Sequence, residues 1–183
     1  MRRFFLLLFS SLCVCLLFAG EAYGYNPRDI RKPTEKSDSP QLEYVMQLRV
    51  TLGKTYTVGE TAHGRRVVIP ITGGTFEGPD LQGTILNGGA DYQLVSLDGS
   101  RTELEAIYSI QTHDGTYIHV RNRGMISNGQ DRQGQTSSYF MTAPQFEAPA
   151  DSPYAWLNNA LFVCRPASVQ DFEGIVLNVW MVR

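Results

Sequence analysis

Between Ile71 and Tyr92 the chain reads ITGGTFEGPDLQGTILNGGADY, with Gly73, Gly74, Gly78, Gly83, Gly88 and Gly89 set around two short β-branched runs. Glycine weakens a strand interior but admits positive φ, bulges and close backbone approach. This spacing therefore reads as strand, bend, strand, bend in a closed or strongly curved sheet. The same glycines make no phosphate cradle. A dinucleotide fingerprint requires a strand before the glycines and a helix opening on them, a P-loop requires Lys-Ser/Thr after them, and neither occurs.

The flanking chain has the matching periodicity. Leu42, Tyr44, Met46, Leu48 and Val50 alternate with Glu43, Val45, Gln47 and Arg49, the period of a strand with one buried face. No later segment carries apolar residues at helical spacing. Further strands are expected at 65–71, 82–86, 92–96, 102–112, 116–123, 138–142, 161–164 and 174–182. About nine short strands with Gly, Asp and Pro punctuation point to an all-β barrel or sandwich, in which closure removes exposed edges.

Two hairpins can be registered from pattern alone. A three-residue loop His113-Asp114-Gly115, with Gly115 left-handed, pairs Ile110 with Ile118, Tyr108 with Val120 and Ala106 with Asn122, giving one apolar face. A two-residue loop would set Ile110 beside His119 and mix the faces. The same face logic turns Arg121 and Arg123 outward. A loop of Leu97-Asp98-Gly99 in SLDGS puts Tyr92 and Leu94 on the inner face with Leu104, Ala106 and Tyr108.

The interior so built is aliphatic and aromatic with a few polar tips. Tyr92, Tyr108, Asn122 and Tyr139 are the candidate ligand-binding residues, since a small barrel with this lining either fills solid or holds one small molecule. The bland alternative is a core side chain whose polar atom finds a backbone partner. Asp91, directly after Gly88-Gly89-Ala90, is the candidate acid or base at a barrel end, its rival role being a turn cap. Glu77 is open to the same two roles. His63, His113 and His119 lie on different elements without metal-ligand spacing, and no metal or cofactor is indicated.

The N-terminus constrains context. Met1-Arg2-Arg3, an apolar run of fifteen residues and the small residues of AGEAYG form a secretory signal, with cleavage expected after Gly24. Residues 1–24 are thus expected to be removed, 25–40 to be a flexible Pro- and charge-rich leader, and 41–183 to be the folded domain, secreted or periplasmic. The mature chain would carry a net charge of −3, which supplies no footprint for nucleic acid or an anionic membrane. Its one remaining cysteine, Cys164 in LFVCRP, has no disulfide partner and reads as a small buried hydrophobe.

The segments YVMQLRVTLG, HGRRVVIPITGGTFEGPDLQGTILNGGADYQLV, THDGTYIHVRNRG, YFMTAPQFE and PYAWLNNALFV, in this order from Leu42 to the C-terminus, resemble an uncharacterised protein family, UPF0311 or domain of unknown function 3237. The resemblance implies a single small antiparallel β-barrel of the lipocalin-like kind. One departure is Asp91-Tyr92, where that family more often has Asp-Trp. The resemblance implies no activity, and the inward polar residues and Asp91 leave two functions of different class: an exported barrel binding a small apolar or aromatic molecule, or a cofactor-independent isomerase, cyclase or hydrolase using Asp91 as acid or base. A homo-oligomer contact through outer apolar residues such as Ile107 is a third, structural expectation.

Overall fold

The computed structural model describes residues 39–169 and 172–183, and the compact unit runs from Pro40 to Arg183. The expected signal peptide and residues 25–38 of the expected leader lie outside the described residues. Ten strands form one antiparallel sheet among the described residues: β1 (Leu42–Leu52), β2 (Tyr56–Thr61), β3 (Gly64–Glu77), β4 (Gln82–Ile85), β5 (Gly89–Val95), β6 (Arg101–Thr112), β7 (Tyr117–Gln130), β8 (Thr136–Glu147), β9 (Leu161–Ala167) and β10 (Ile175–Val182). The order β1-β10-β9-β8-β7-β6 continues through β4 and β5, which both bridge β6 to β3, and β3 closes the ring on β1. Since β4 and β5 are two halves of one stave, the barrel has eight staves, with β2 a flap on β3. Eight strands leave an interior just wide enough for side chains or one small ligand.

The β6–β7 hairpin has the register that its pattern requires: Ile110↔Ile118, Tyr108↔Val120 and Ala106↔Asn122, with Gly115 at φ 90°. Two expectations are corrected. Residues Tyr56–Thr61 form a strand the pattern did not reveal, because β2 lies outside the barrel and nearly all of it is exposed. In β1 a bulge between Tyr44 and Met46 changes the phase of the alternation. Val45 and Met46 are consecutively buried, while Leu42 and Tyr44 turn out at 59% and 42% exposure. A bulge inserts one residue, so every side chain before it changes face.

The core divides the barrel lengthwise. At one end Met46, Leu48, Phe76, Ile110, Ile118 and Val120 are buried and close-packed, and a 3-10 turn at Ala155–Asn159 drives Leu157 into that end. Phe146 and Phe162 pack edge to face there with centroids 5.0 Å apart, which strengthens a seam where β8 and β9 share the single ladder pair Thr142↔Cys164. Asp114 ties the same end together, accepting from the Thr112 hydroxyl and, at 3.1 Å, from Tyr154 Oη.

Gly74 is where β3 can pass under β1. Its φ of +135° is closed to side chains, and a Cβ would overlap the Arg49 carbonyl oxygen. Gly88 has a φ of +115° but open space around it. Gly74→Ala is therefore expected to cost more than about 3 kcal/mol, and Gly88→Ala only the backbone term of about 1–2 kcal/mol. Urea unfolding of the two variants separates them, and equal midpoints would contradict the close β1–β3 approach.

Candidate functional site

Inward alternation along the staves, with the other end filled, leaves a cavity of about 130 Å³ in the open half of the barrel. It is comparable to a cavity that admits benzene, on the order of 150 Å³. Its two walls differ. Val50 and Leu52 of β1, Ile69 and Ile71 of β3 and Ile175 and Leu177 of β10 make one wall wholly aliphatic. The facing wall carries a polar belt across four adjacent strands: Asp91 and Gln93 of β5, Tyr108 of β6, Asn122 of β7 and Thr142 of β8.

The ladders explain why these groups meet. Asp91 pairs with Ala106, and Ala106 pairs with Asn122, so the three share the inner face in one row. Two interstrand spacings separate the backbones of Asp91 and Asn122 by roughly 10 Å. Ala106 between them has only a methyl group, which leaves that gap open. Tyr108 lies two residues along β6 on the same face, packed over Gly89, where a Cβ would strike it.

The polar atoms of the belt are poorly satisfied. Tyr108 Oη, Asn122 Oδ1 and Thr142 Oγ1 are buried without a well-formed hydrogen bond, the Thr142 hydroxyl having only the weakly accepting Cys164 sulfur beside it, although buried polar groups are nearly always paired. Burial pushes the Tyr108 phenol well above its usual range and the nearby Cys164 thiol up to about 11, so the thiol is no nucleophile at neutral pH. Asp91 is half-buried. Its Oδ1 accepts the Glu105 N–H at 3.0 Å and its Oδ2 accepts Gln93 Nε2 at 2.7 Å. Burial raises its pKa, and the two hydrogen bonds oppose that rise only in part.

Of the sequence candidates, the fold brings Asp91, Tyr108 and Asn122 together and removes Tyr92 and Tyr139. The β5–β6 loop is one residue longer than expected, Leu97–Ser100, closed by Ser96 N–H on the Arg101 carbonyl and braced by Asp98. Val95 therefore pairs with Thr102, and Tyr92 and Leu94 face outward, Tyr92 being 42% exposed. The same one-residue slip turns Asp91 and Gln93 inward. Asp91 bonds across to β6 and does not cap the turn before it. Tyr139 is 50% exposed because the inner face of β8 holds Phe140 and Thr142. Gln93 and Thr142 were not apparent as candidates: no motif marks either, and only the ladder aims them inward. Arg121 and Arg123 lie on the outer face, where both contact Glu105, at 2.5 and 3.4 Å.

Two measurements check this geometry. Tyr108→Phe and Thr142→Val delete unpaired buried hydroxyls at nearly constant volume and are each expected to raise stability by about 1–2 kcal/mol in urea unfolding; a loss of that size would mean the hydroxyls are satisfied. Asp91 binds its proton more tightly folded than unfolded. Its stabilising contribution is thus complete below the ordinary value of 3.8 and declines as pH rises through the raised value. Asp91→Asn is expected to flatten that decline in a pH series of melting temperatures.

Residues 40–182 match the family model described as protein of unknown function, DUF3237. A UPF0311 protein of Clostridium acetobutylicum is 34% identical over 150 residues, which span 76% of this chain and 92% of that one. The hydroalkoxylation enzyme phnH of Penicillium herquei is 26% identical over 175 residues, 96% of this chain and 99% of that one. The crystal structure of a beta-barrel like protein from Acinetobacter baumannii superposes with a TM-score of 0.68 at 31% identity, covering 79% of this chain and 97% of its own. With its barrel, its register and these relatives in agreement, the chain belongs to the DUF3237 (UPF0311) family.

Proposed function

We propose that the barrel binds a small, largely apolar molecule bearing oxygen functions along one edge, and that Asp91 exchanges a proton with it. The observation that carries this is the convergence of three unpartnered buried polar atoms and one carboxyl on a single cavity whose other wall is aliphatic. Hydrocarbon would lie against β1, β3 and β10. Oxygen functions would face the belt, where Asn122 Oδ1 accepts from a hydroxyl and the Tyr108 and Thr142 hydroxyls donate.

The relative from Penicillium herquei is named for hydroalkoxylation, the addition of an alcohol O–H across a C=C bond. Such an addition is redox-neutral. Asp91 would give a proton to one alkene carbon and take back the proton released by the hydroxyl as the C–O bond forms at the other carbon. A carboxyl with raised proton affinity suits this cycle, because it holds the proton closer to neutral pH than an exposed aspartate does. The Tyr108 hydroxyl would steady negative charge developing on a substrate oxygen.

A thermal-shift screen of monocyclic phenols and α,β-unsaturated ketones finds compounds that fit; each is then incubated with the protein in D2O. Mass spectrometry reads deuterium gained at carbon. Asp91→Asn is expected to keep the thermal shift and to lose about 100-fold or more in exchange. Exchange at the wild-type rate in that variant would remove Asp91 from the chemistry, and exchange no faster with the wild-type protein than without it would reduce the barrel to a binding protein.

A further inference from the structure

The β5–β6 ladder runs through Ala90↔Ile107 and Asp91↔Ala106, lapses at Tyr92 and Gln93, and resumes at Leu94↔Glu103. Side chains occupy backbone groups in that interval. Asp91 Oδ1 takes the Glu105 N–H, and Arg66 Nη1 donates to the Tyr92 carbonyl at 2.9 Å on the outer face. One carboxyl oxygen of Asp91 is thereby fastened to β6. Proton exchange falls to the other, Oδ2, whose partner is the Gln93 amide.

Gln93 follows Asp91 by two residues on the same strand, so both side chains enter the cavity. A primary amide carries a donor and an acceptor on one pivot. Its NH2 end complements an ionised carboxylate, whereas a protonated Oδ2 needs the carbonyl end. No other charge inside the cavity competes: Asp91 is the one acidic or basic side chain among the described residues that line it. From β6 the Glu105 carboxylate faces out to Arg121 and Arg123, and the Tyr108 phenol stays neutral. From β3 Ile69 is the Asp91 cross-strand partner, with Arg66 outside. From β7 and β8 come the neutral Asn122 and Thr142.

We propose that Gln93 is a positioning residue for Asp91 whose amide reverses with the proton, donating to the carboxylate and accepting from the acid, so that Oδ2 stays aimed into the cavity in both states. This rests on Asp91 being the group that exchanges protons with the bound molecule. It also makes position 93 a control point for the acid strength of the site. The bond donated to the carboxylate is charge-assisted and stronger than the one accepted from the neutral acid, so the amide on balance lowers the carboxyl's proton affinity, and an apolar side chain of similar length removes both bonds without opening the site to water.

The test is carboxyl and amide NMR on the protein alone, which needs no substrate. In the wild type the Gln93 side-chain NH2 signal is expected to shift through the same midpoint as the 13C-labelled Asp91 carboxyl. In Gln93→Met the Asp91 midpoint is expected to rise by about one pH unit, tenfold in proton affinity. An NH2 signal that ignores the Asp91 titration, or an unchanged midpoint in the variant, would overturn the proposal. Because the wild-type signal is itself decisive, the test survives a variant that folds poorly. Coupled titration without deuterium exchange into any ligand would refute the chemistry proposed above and leave the role of Gln93 intact; exchange without coupled titration would do the reverse.

Discussion

The barrel depends on one strand serving four neighbours. The fourteen residues of β3 pair with β2 and then β1 along one edge, and with β5 and then β4 along the other. The change from β2 to β1 falls between Val68, the last residue paired with β2, and Ile71, which pairs with Leu52; after a shift in register Thr51 pairs with Gly73 and Val50 with Gly74. Only a residue without Cβ fits beneath the Arg49 carbonyl there. Had β3 kept β2 along its whole edge, β1 would present an open row of N–H and C=O groups, and the sheet would have two free edges.

Closure also sets where material and space go. The end stoppered by the 3-10 turn is filled by side chains with almost no exposure, each buried aliphatic or aromatic contributing about 1.5–3 kcal/mol. The other end keeps its cavity. At about 24 cal/mol per Å³, a void of 130 Å³ costs on the order of 3 kcal/mol, and each unpartnered polar atom beside it adds about 1–3 kcal/mol. Leucine or valine in place of Asn122 and Thr142 would relieve part of that cost. The void and the polar belt thus gather the destabilising features of the domain in one place.

Legibility from sequence differs by element. The β6–β7 hairpin was readable because only one register keeps Ile110, Ile118, Tyr108 and Val120 on a single face, and that register aims Tyr108 and Asn122 inward. The β5–β6 hairpin was not. Tyr92, Leu94 and Val95 offer apolar residues to both faces, and a loop one residue longer satisfies the pattern equally well. That single residue exchanges Tyr92 for Asp91 and Gln93 at the cavity wall. In β1 the apolar count likewise concealed the bulge at Val45, since Val45 and Met46 are both hydrophobic and either phase looks consistent.

Composition and local pattern by themselves determined an all-β chain, most of its strand positions, the face of one central hairpin and the family resemblance, because period-two alternation and turn glycines act over a few residues. What only the tertiary structure decided was which carboxyl enters the barrel, that Gln93 lies against it, and that Tyr108, Asn122 and Thr142 share one cavity. Those groups sit on four strands, from Asp91 to Thr142, and their meeting is fixed by interstrand register and ring closure, long-range pairings to which no local pattern is sensitive.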